Sequence, residues 1–239
     1  MRLDVETITE RAKLADIRRV LKSVRVPEYL FDAEPNNLEE FPPLRRPLQK
    51  NNRDWWDRSK EEPDTAEADF FINWPKYAVY YAIAYLHRPY LIASLGVGFG
   101  YTLMCLAKGA KDGGIPDTTV NGYDDETGRP GSLEWARQAF MVDRVPYNLS
   151  HSNARQYDAS GIPLSHIDLF YLSDDANDRD AAKDIQLAIK TLSPRGILVV
   201  DTASGTEEAI RSAVAAGFGR FPLLDGEITV LYNHDLGPI

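Results

Sequence analysis

Three glycines on alternate positions follow a short apolar run in the segment "YLIASLGVGFGYTLM". Gly96, Gly98 and Gly100 stand between residues that indicate a buried strand and residues that indicate a helix. Glycines at such a junction serve either a tight turn or a site where a ligand lies against bare backbone. The helix that follows would present free backbone N–H groups and a positive dipole end. Tyr101 opens that helix and is a candidate ligand contact.

An acidic residue ends the next strand pattern, "TTVNGYD". Asp124 lies 24 residues after Gly100 (124 − 100). A carboxylate at the end of the second strand can accept hydrogen bonds from both ribose hydroxyls of an adenosine-type ligand. The glycine spacing is G-x-G-x-G, and Tyr101 stands directly after the third glycine. Dinucleotide sites use G-x-G-x-x-G, so the spacing argues against NAD.

Alternating strand and helix patterns from residue 90 onward must position these residues. Short apolar runs alternate with segments of helical periodicity. Such alternation predicts an α/β fold, a parallel sheet with helices on both faces, in which ligands bind at the carboxyl ends of the strands. The last two runs, separated by Asp225 and Gly226, indicate a hairpin that adds one antiparallel edge strand.

The first 75 residues differ in character from the rest. Residues 5–24 have apolar positions at near-helical spacing, whereas residues 27–65 hold prolines and dense charge with little periodicity. We therefore divide the chain into an α-helical N-terminal extension or lid, residues 1–75, and a ligand-binding domain, residues 76–239. The aromatic residues of the extension would either line a ligand pocket or pack onto the domain.

Composition and charge exclude several classes of function. Of the 239 residues, 36 are acidic and 27 basic, which gives a formal net charge of −9 and argues against nucleic-acid binding. No apolar run approaches the roughly 20 residues of a membrane helix. The charged start lacks a signal-peptide core, and one cysteine, Cys105, cannot form an internal disulfide. We expect a cytoplasmic protein with a small-molecule substrate, and a homodimer is compatible with the sequence.

Five segments occur in an order that is typical of one enzyme family. "LGVGFG", "GYDDE", "HIDLFYLSDD", "LSPRGILVVD" and the C-terminal hairpin resemble the successive motifs of class I S-adenosylmethionine-dependent methyltransferases. The resemblance is strongest to the small-molecule O-methyltransferase-like branch and covers about residues 76–233. It implies a Rossmann-like, doubly wound sheet of seven strands, six parallel and the last antiparallel.

The resemblance also implies cofactor contacts. The three glycines would face the methionine part of S-adenosylmethionine, and Asp124 would bind its ribose. Asn153, in the segment "SNA", would approach the adenine amine. Ser173 stands at the first acidic position of the family's fourth-strand loop and is taken as a further cofactor contact. Two departures are visible: Ser94 replaces the family's usual acid, and the fourth-strand loop lacks its histidine.

Three carboxylates are candidates for catalysis. The magnesium-dependent members of the family use acids from the ends of the fourth and fifth strands, which here are Asp174, Asp175 and Asp201. These oxygen ligands suit Mg²⁺, but Thr202 is a weak third ligand, so we favour a metal-free reaction with one carboxylate as general base. The acids after the fourth strand are equally typical of a helix N-terminus.

The function predicted from the sequence is therefore S-adenosylmethionine-dependent methyl transfer to a hydroxyl or carboxyl group of a small molecule. The alternative is a non-catalytic module of the same fold that binds the cofactor or another nucleotide. A nucleic-acid amino-methyltransferase would need an Asn/Asp-Pro-Pro-aromatic motif after the fourth strand, and "SDDA" contains no proline.

Overall fold

A seven-stranded sheet organises the part of the chain that the computed structural model describes. That part comprises residues 76–77, 79–126, 130–142, 144–151, 166–173, 181–202, 206–223 and 226–233. The strands are β1 (Leu91–Leu95), β2 (Thr119–Asp124), β3 (Tyr147–His151), β4 (Ile167–Leu172), β5 (Leu192–Asp201), β6 (Phe218–Leu223) and β7 (Ile228–Asn233). Each predicted strand is present, with β5 beginning earlier than its apolar run suggests.

The strand order is β3-β2-β1-β4-β5-β7-β6. Strands β1 to β5 pair in parallel, and β7 pairs antiparallel with both β5 and β6. This confirms the predicted Rossmann-like sheet. The predicted antiparallel last strand, β7, is confirmed, but its expected place at the edge of the sheet is wrong, because β7 lies between β5 and β6. The six buried or nearly buried residues of β7 explain this place, since an interior strand is covered on both faces.

Helices cover both faces of the sheet. The first helix, α1, occupies residues 76–77 and 79–87. It is followed by α2 (Tyr101–Asp112), α3 (Ser132–Val142), α4 (Ala181–Thr191) and α5 (Glu207–Ala215). Side chains from α1, α2 and α3 share one apolar core with one face of the sheet, and those from α4 and α5 share another with the opposite face. The fold is thus doubly wound, as predicted.

The alternation of side chains along the central strands explains the two cores. In β4, Leu169 and Tyr171 belong to the α1–α3 side, whereas Phe170 and Leu172 belong to the α4–α5 side. Period-two alternation with apolar residues on both faces is the pattern of a fully buried parallel strand. The chain reverses its direction of winding between β1 and β4, so their carboxyl ends frame the crevice where such sheets bind ligands.

A close approach of backbones joins α1 to α2. A side chain at Gly109 of α2 would collide with the backbone of Tyr81 and Tyr85 in α1. The missing side chain lets the two helices pack directly against each other. Because α1 leads into β1 and α2 leads out of it, this contact sets the positions of the first residues of both helices above the carboxyl edge of the sheet.

Two further expectations concern the N-terminal extension and membrane-spanning helices. The proposed N-terminal extension, residues 1–75, lies outside the described residues. Within the described ranges, no helix is both long enough and apolar enough to cross a membrane.

Candidate functional site

The glycine loop connects β1 to α2 at the switch point of the sheet. Gly96, Gly98 and Gly100 all have positive φ values, of 86°, 51° and 82°. At Gly100 a Cβ atom would lie 2.9 Å from the Cβ of Ala136 in α3, so glycine is required by both conformation and space. The loop therefore packs closely against α3 at Gly100, with its backbone at the carboxyl edge of β1.

Asp124, at the end of β2, holds this loop. Its Oδ2 accepts hydrogen bonds from the backbone N–H groups of Val97 (2.6 Å) and Gly98 (2.9 Å). Its Oδ1 accepts one from the N–H of Glu126 (2.6 Å). A carboxylate oxygen has two acceptor sites, so Oδ2 is filled by the loop and Oδ1 keeps one site. Asp124 thus fixes the loop and retains the capacity to bind one ligand hydroxyl.

Glu126 continues the acidic edge next to Asp124. It adopts a positive φ of 56°, which is uncommon for a residue with a side chain. Its Oε1 accepts the N–H of Leu133 at the start of α3 (2.9 Å), and its Oε2 lies 3.8 Å from Nε2 of His151. His151 ends β3 and is largely exposed, at the carboxyl edge as its place after the third strand predicts.

Ser94 explains how the loop tolerates the loss of the family's acid. Its side chain is fully buried, and its hydroxyl donates to the carbonyl oxygen of Gly96 (2.5 Å). The hydroxyl therefore fastens the first residue of the loop to the end of β1. The hydroxyl of Ser94 thus anchors the loop at the position where the family usually has an acid.

Ser173 follows β4 directly and is half-buried beside the loop. Its backbone N–H donates to the carbonyl oxygen of Leu95 (3.3 Å), the last residue of β1. This places the hydroxyl-bearing residue at the crevice between β1 and β4. The structure thus brings Ser173, Asp124 and the three glycines together at one edge of the sheet.

Tyr101 lies at the first position of α2, and its ring is buried. The ring packs in an aromatic cluster with Tyr77, Phe99 and Trp135, at centroid distances of 5.7, 6.3 and 4.9 Å. These rings come from α1, the glycine loop and α3, so the cluster ties together the elements around the loop. Because Tyr101 begins α2 directly after the glycine loop, it remains a candidate for ligand contact.

Asp201, at the end of β5, is surrounded by hydrogen-bond donors. The hydroxyl of Tyr80, from α1, donates to its Oδ1, and that of Tyr171, from β4, donates to its Oδ2 (2.7 Å). The ammonium of Lys76 lies 3.9 Å from Oδ1. We refer to Lys76, Tyr80, Tyr171 and Asp201 as the Asp201 cluster. These donors stabilise the ionised carboxylate in a buried place.

The phenol of Tyr80 remains protonated over a wide pH range. Burial, with the nearby Tyr171 and Asp201, raises the pKa of Tyr80 well above its ordinary value. A protonated phenol is a hydrogen-bond donor, so Tyr80 holds the carboxylate and does not compete with it for protons. Tyr80 and Tyr171 also pack edge to face, with centroids 5.4 Å apart.

The sequence interpretation did not include Lys76, Tyr80 or Tyr171. A signal was present, since the tyrosines interrupt apolar runs that predict buried elements, and a buried hydroxyl needs a partner. Lys76 stands at the charged start of the apolar segment "KYAVYYAIAYLH". What the sequence lacked was the pairing of α1 with β5, which are 121 residues apart at the Tyr80–Asp201 contact.

Three predicted residues, Asn153, Asp174 and Asp175, lie outside the described residues. Within the described part of the chain, no group of three or more His, Cys, Asp or Glu side chains is placed to hold a metal ion. The roles assigned to the carboxylates after β4 therefore stay predictions.

Comparison with protein families identifies the domain. Residues 93–202 match the family model described as a methyltransferase domain. The match spans the glycine loop, Asp124, Ser173 and Asp201. It confirms the resemblance to class I methyltransferases that the sequence motifs predicted. No curated protein sequence matches the chain at a significant level.

Several solved structures share this fold. The SAH-bound Podospora anserina methyltransferase PaMTH1 shares 17% sequence identity with this chain and has a TM-score of 0.56. The match covers 90% of this chain and 96% of that protein. A putative caffeoyl-CoA O-methyltransferase from Staphylococcus aureus shares 12% identity and has a TM-score of 0.54. The match covers 78% of this chain and 99% of that protein. An O-methyltransferase from Bacillus cereus in complex with SAH shares 14% identity and has a TM-score of 0.50. The match covers 91% of this chain and 97% of that protein. At these identities the similarity concerns the fold.

Proposed function

We propose that this chain, which carries a methyltransferase domain over residues 93–202, methylates an oxygen atom of a small molecule. S-adenosylmethionine is the methyl donor. The observation that carries the proposal is the glycine loop, with three positive φ values, held by Asp124 at the switch point of the sheet. Two of the solved structures with this fold contain the demethylated cofactor, SAH.

The adenosine half of the cofactor belongs at the β2 side of the crevice. Oδ1 of Asp124 has one acceptor site left, which suits one ribose hydroxyl. We assign the second hydroxyl to Glu126, whose Oε2 points toward His151 at the same edge. The predicted adenine contact of Asn153 fits this orientation, since Asn153 follows β3.

The methionine half then crosses the glycine loop toward β4 and β5. Ser173 stands at the crevice between β1 and β4, and Asp201 ends the next strand. A methyl group held there faces the Asp201 cluster. Methyl transfer from a sulfonium is an in-line displacement, so the protein must orient the acceptor oxygen and exclude water. The Asp201 cluster is the polar group best placed to orient an acceptor.

The arrangement of Asp201 bears on its predicted role as a general base. Both of its oxygens accept phenolic hydrogen bonds, and Lys76 balances its charge. Both oxygens are thus already engaged within the protein. We therefore propose that Asp201 is a positioning residue that fixes Lys76, Tyr80 and Tyr171 at the acceptor end of the crevice.

The non-catalytic alternative remains distinguishable by experiment. Calorimetry should detect binding of S-adenosylmethionine and SAH in the micromolar range and no comparable binding of NAD. Incubation with labelled S-adenosylmethionine and a panel of small acids, phenols and alcohols should then yield labelled product and SAH. Binding of SAH with no transfer to any acceptor class would favour the binding module, and tight NAD binding without SAH binding would refute the cofactor assignment.

A further inference from the structure

Lys76 is a fixed cation at the acceptor end of the site. Its side chain is 17% exposed, so it is mostly buried and still keeps part of its surface accessible. The ammonium lies 3.9 Å from Oδ1 of Asp201 and 3.6 Å from Oε2 of Glu227, which precedes β7. Both separations exceed hydrogen-bond length, so neither ion pair occupies an N–H group in a direct hydrogen bond. The ammonium is thus held in place with donors that a ligand can use.

Two carboxylates, Asp201 and Glu227, and two phenols surround Lys76. Tyr80 and Tyr171 already donate to Asp201, and burial keeps the hydroxyl of Tyr80 protonated by raising its pKa. The described histidines lie elsewhere: His87 contacts the carbonyl of Asp168 near the start of β4, His166 precedes β4, and His151 ends β3. Among the described groups next to Lys76, Asp201 is held by two phenols, so a neutral hydroxyl acceptor would depend on the exposed carboxylate of Glu227 as its base.

We propose that the acceptor is a carboxylic acid, bound as its carboxylate by Lys76, so that the product is a methyl ester. The inference rests on the proposed methyltransferase function and specifies its substrate class. A carboxylate is ionised at neutral pH and needs no general base. An ammonium that keeps donors available at the acceptor end provides a charge-assisted hydrogen bond to one of its oxygens.

The reaction is balanced without any proton transfer. A lone pair of the second carboxylate oxygen forms a bond to the methyl carbon as the carbon–sulfur bond breaks. The bonding electrons return to sulfur, which changes from a positive sulfonium to a neutral thioether, and the acceptor changes from an anion to a neutral ester. Lys76 orients the acceptor and balances its charge until transfer, and the loss of that charge favours release of the ester.

The test compares acids with alcohols of the same skeleton. The purified full chain is incubated with S-adenosylmethionine labelled in the methyl group and with benzoate, phenylacetate or cinnamate, or with the corresponding alcohols. Alkali releases labelled methanol from methyl esters and leaves methyl ethers intact. We expect alkali-labile product from at least one acid and none from the alcohols.

Variants then assign the effect to Lys76. Lys76→Met should raise KM for the acid by roughly tenfold to a hundredfold, the loss of a charged hydrogen bond, and leave SAH affinity unchanged. Lys76→Arg, which keeps the charge, should recover part of the loss. The control is Lys190→Met, since Lys190 is exposed in the last turn of α4, at the opposite edge of the sheet. It should behave as the wild type.

Each outcome decides between the claims. A wild type that binds SAH but esterifies none of the acids, or that methylates only alcohols or phenols, would refute the carboxylate inference and leave the methyltransferase function standing. An unchanged KM in Lys76→Met would remove Lys76 from acceptor binding. A wild type that does not bind SAH would refute the proposed function itself, and the inference with it.

Discussion

At the scale of single residues, the structure gives Asp124 a second task beside the ribose binding that we propose for it. Its place after β2 predicts ribose binding, and its carboxylate also accepts the N–H groups of Val97 and Gly98. The second task was not visible in the sequence, because it depends on the path of the glycine loop. A residue that shapes the loop and binds the ligand should affect affinity and stability together.

Asp124→Asn should therefore weaken SAH binding by about 1–3 kcal/mol, because it replaces an ionised acceptor of both loop and ribose by a neutral amide. The free energy of unfolding should also fall by about 1 kcal/mol. Calorimetry and denaturant unfolding measure the two quantities. Asp117→Asn is the matched control, since Asp117 is exposed between α2 and β2. Equal SAH affinity in Asp124→Asn and the wild type would show that the ribose lies elsewhere.

The buried phenol of Tyr80 predicts a loss of stability in alkali. Burial raises its pKa in the folded state, so above about pH 10 the unfolded chain loses a proton that the folded chain keeps. The stabilisation is thus complete below pH 10 and decreases as the pH rises beyond it. Tyr80→Phe should lower the free energy of unfolding at neutral pH by about 1–3 kcal/mol and make the alkaline decrease shallower.

Denaturant unfolding between neutral pH and pH 11 measures this dependence. Tyr90→Phe is a suitable control because Tyr90 is 66% exposed, and it should leave the slope of the wild type unchanged. If Tyr80→Phe and the wild type lost stability equally above pH 10, the phenol would not be the buried donor to Asp201 that the structure describes.

At the scale of elements, the strands and helices of the domain followed from periodicity, whereas their mutual placement did not. The run "LIASL" predicts β1. The spacing of Leu133, Ala136, Phe140 and Met141 predicts the buried side of α3, and of these four residues Met141 is exposed. The position of β7 between β5 and β6 could not be read from a hairpin pattern, because the pattern states which strands pair and not which one is at the edge. The resemblance to the family implied the number of strands and the direction of the last one.

The same distinction applies to the site. The glycine loop and Asp124 are adjacent in consecutive elements, so their spacing in sequence reveals their meeting. Lys76 and Tyr80 reach Asp201 from α1, across most of the domain, and only the packing of α1 against the sheet brings them together. Long-range contacts of this kind leave no spacing signal in a single sequence.

The contact between α1 and α2 at Gly109 is predicted to be sensitive to one methyl group. Gly109→Ala would push the new Cβ into the backbone of Tyr81, at a cost of about 1–3 kcal/mol. This exceeds the gain in helix propensity of about 1 kcal/mol. Thermal or denaturant unfolding should therefore show a less stable protein.

Lys108→Ala, on the same helix, removes only an exposed ion pair with Asp112 and should change stability by less than about 1 kcal/mol. Since α1 also carries Lys76 and Tyr80, Gly109→Ala should weaken the Asp201 cluster as well. A Gly109→Ala variant as stable as the wild type would contradict the direct packing of the two helices.

At the scale of the whole molecule, the carboxyl edge of the sheet divides into two ends. The β2–β3 end carries the carboxylates that we propose for the ribose, Asp124 and Glu126, and the β4–β5 end carries the cationic and phenolic donors of the Asp201 cluster. The glycine loop joins them. A cofactor with a polar nucleoside at one end and a transferable cationic methyl group at the other fits this polarity, with an anionic acceptor beyond it.

The most direct test of this account is a crystal structure of the protein with SAH. It should place the cofactor along the carboxyl edge, with a ribose hydroxyl on Oδ1 of Asp124, the homocysteine part on the glycine loop and the sulfur directed toward Asp201 and Lys76. SAH bound at another surface, or bound with its ribose at the β5 end and its sulfur at Asp124, would contradict the central claim.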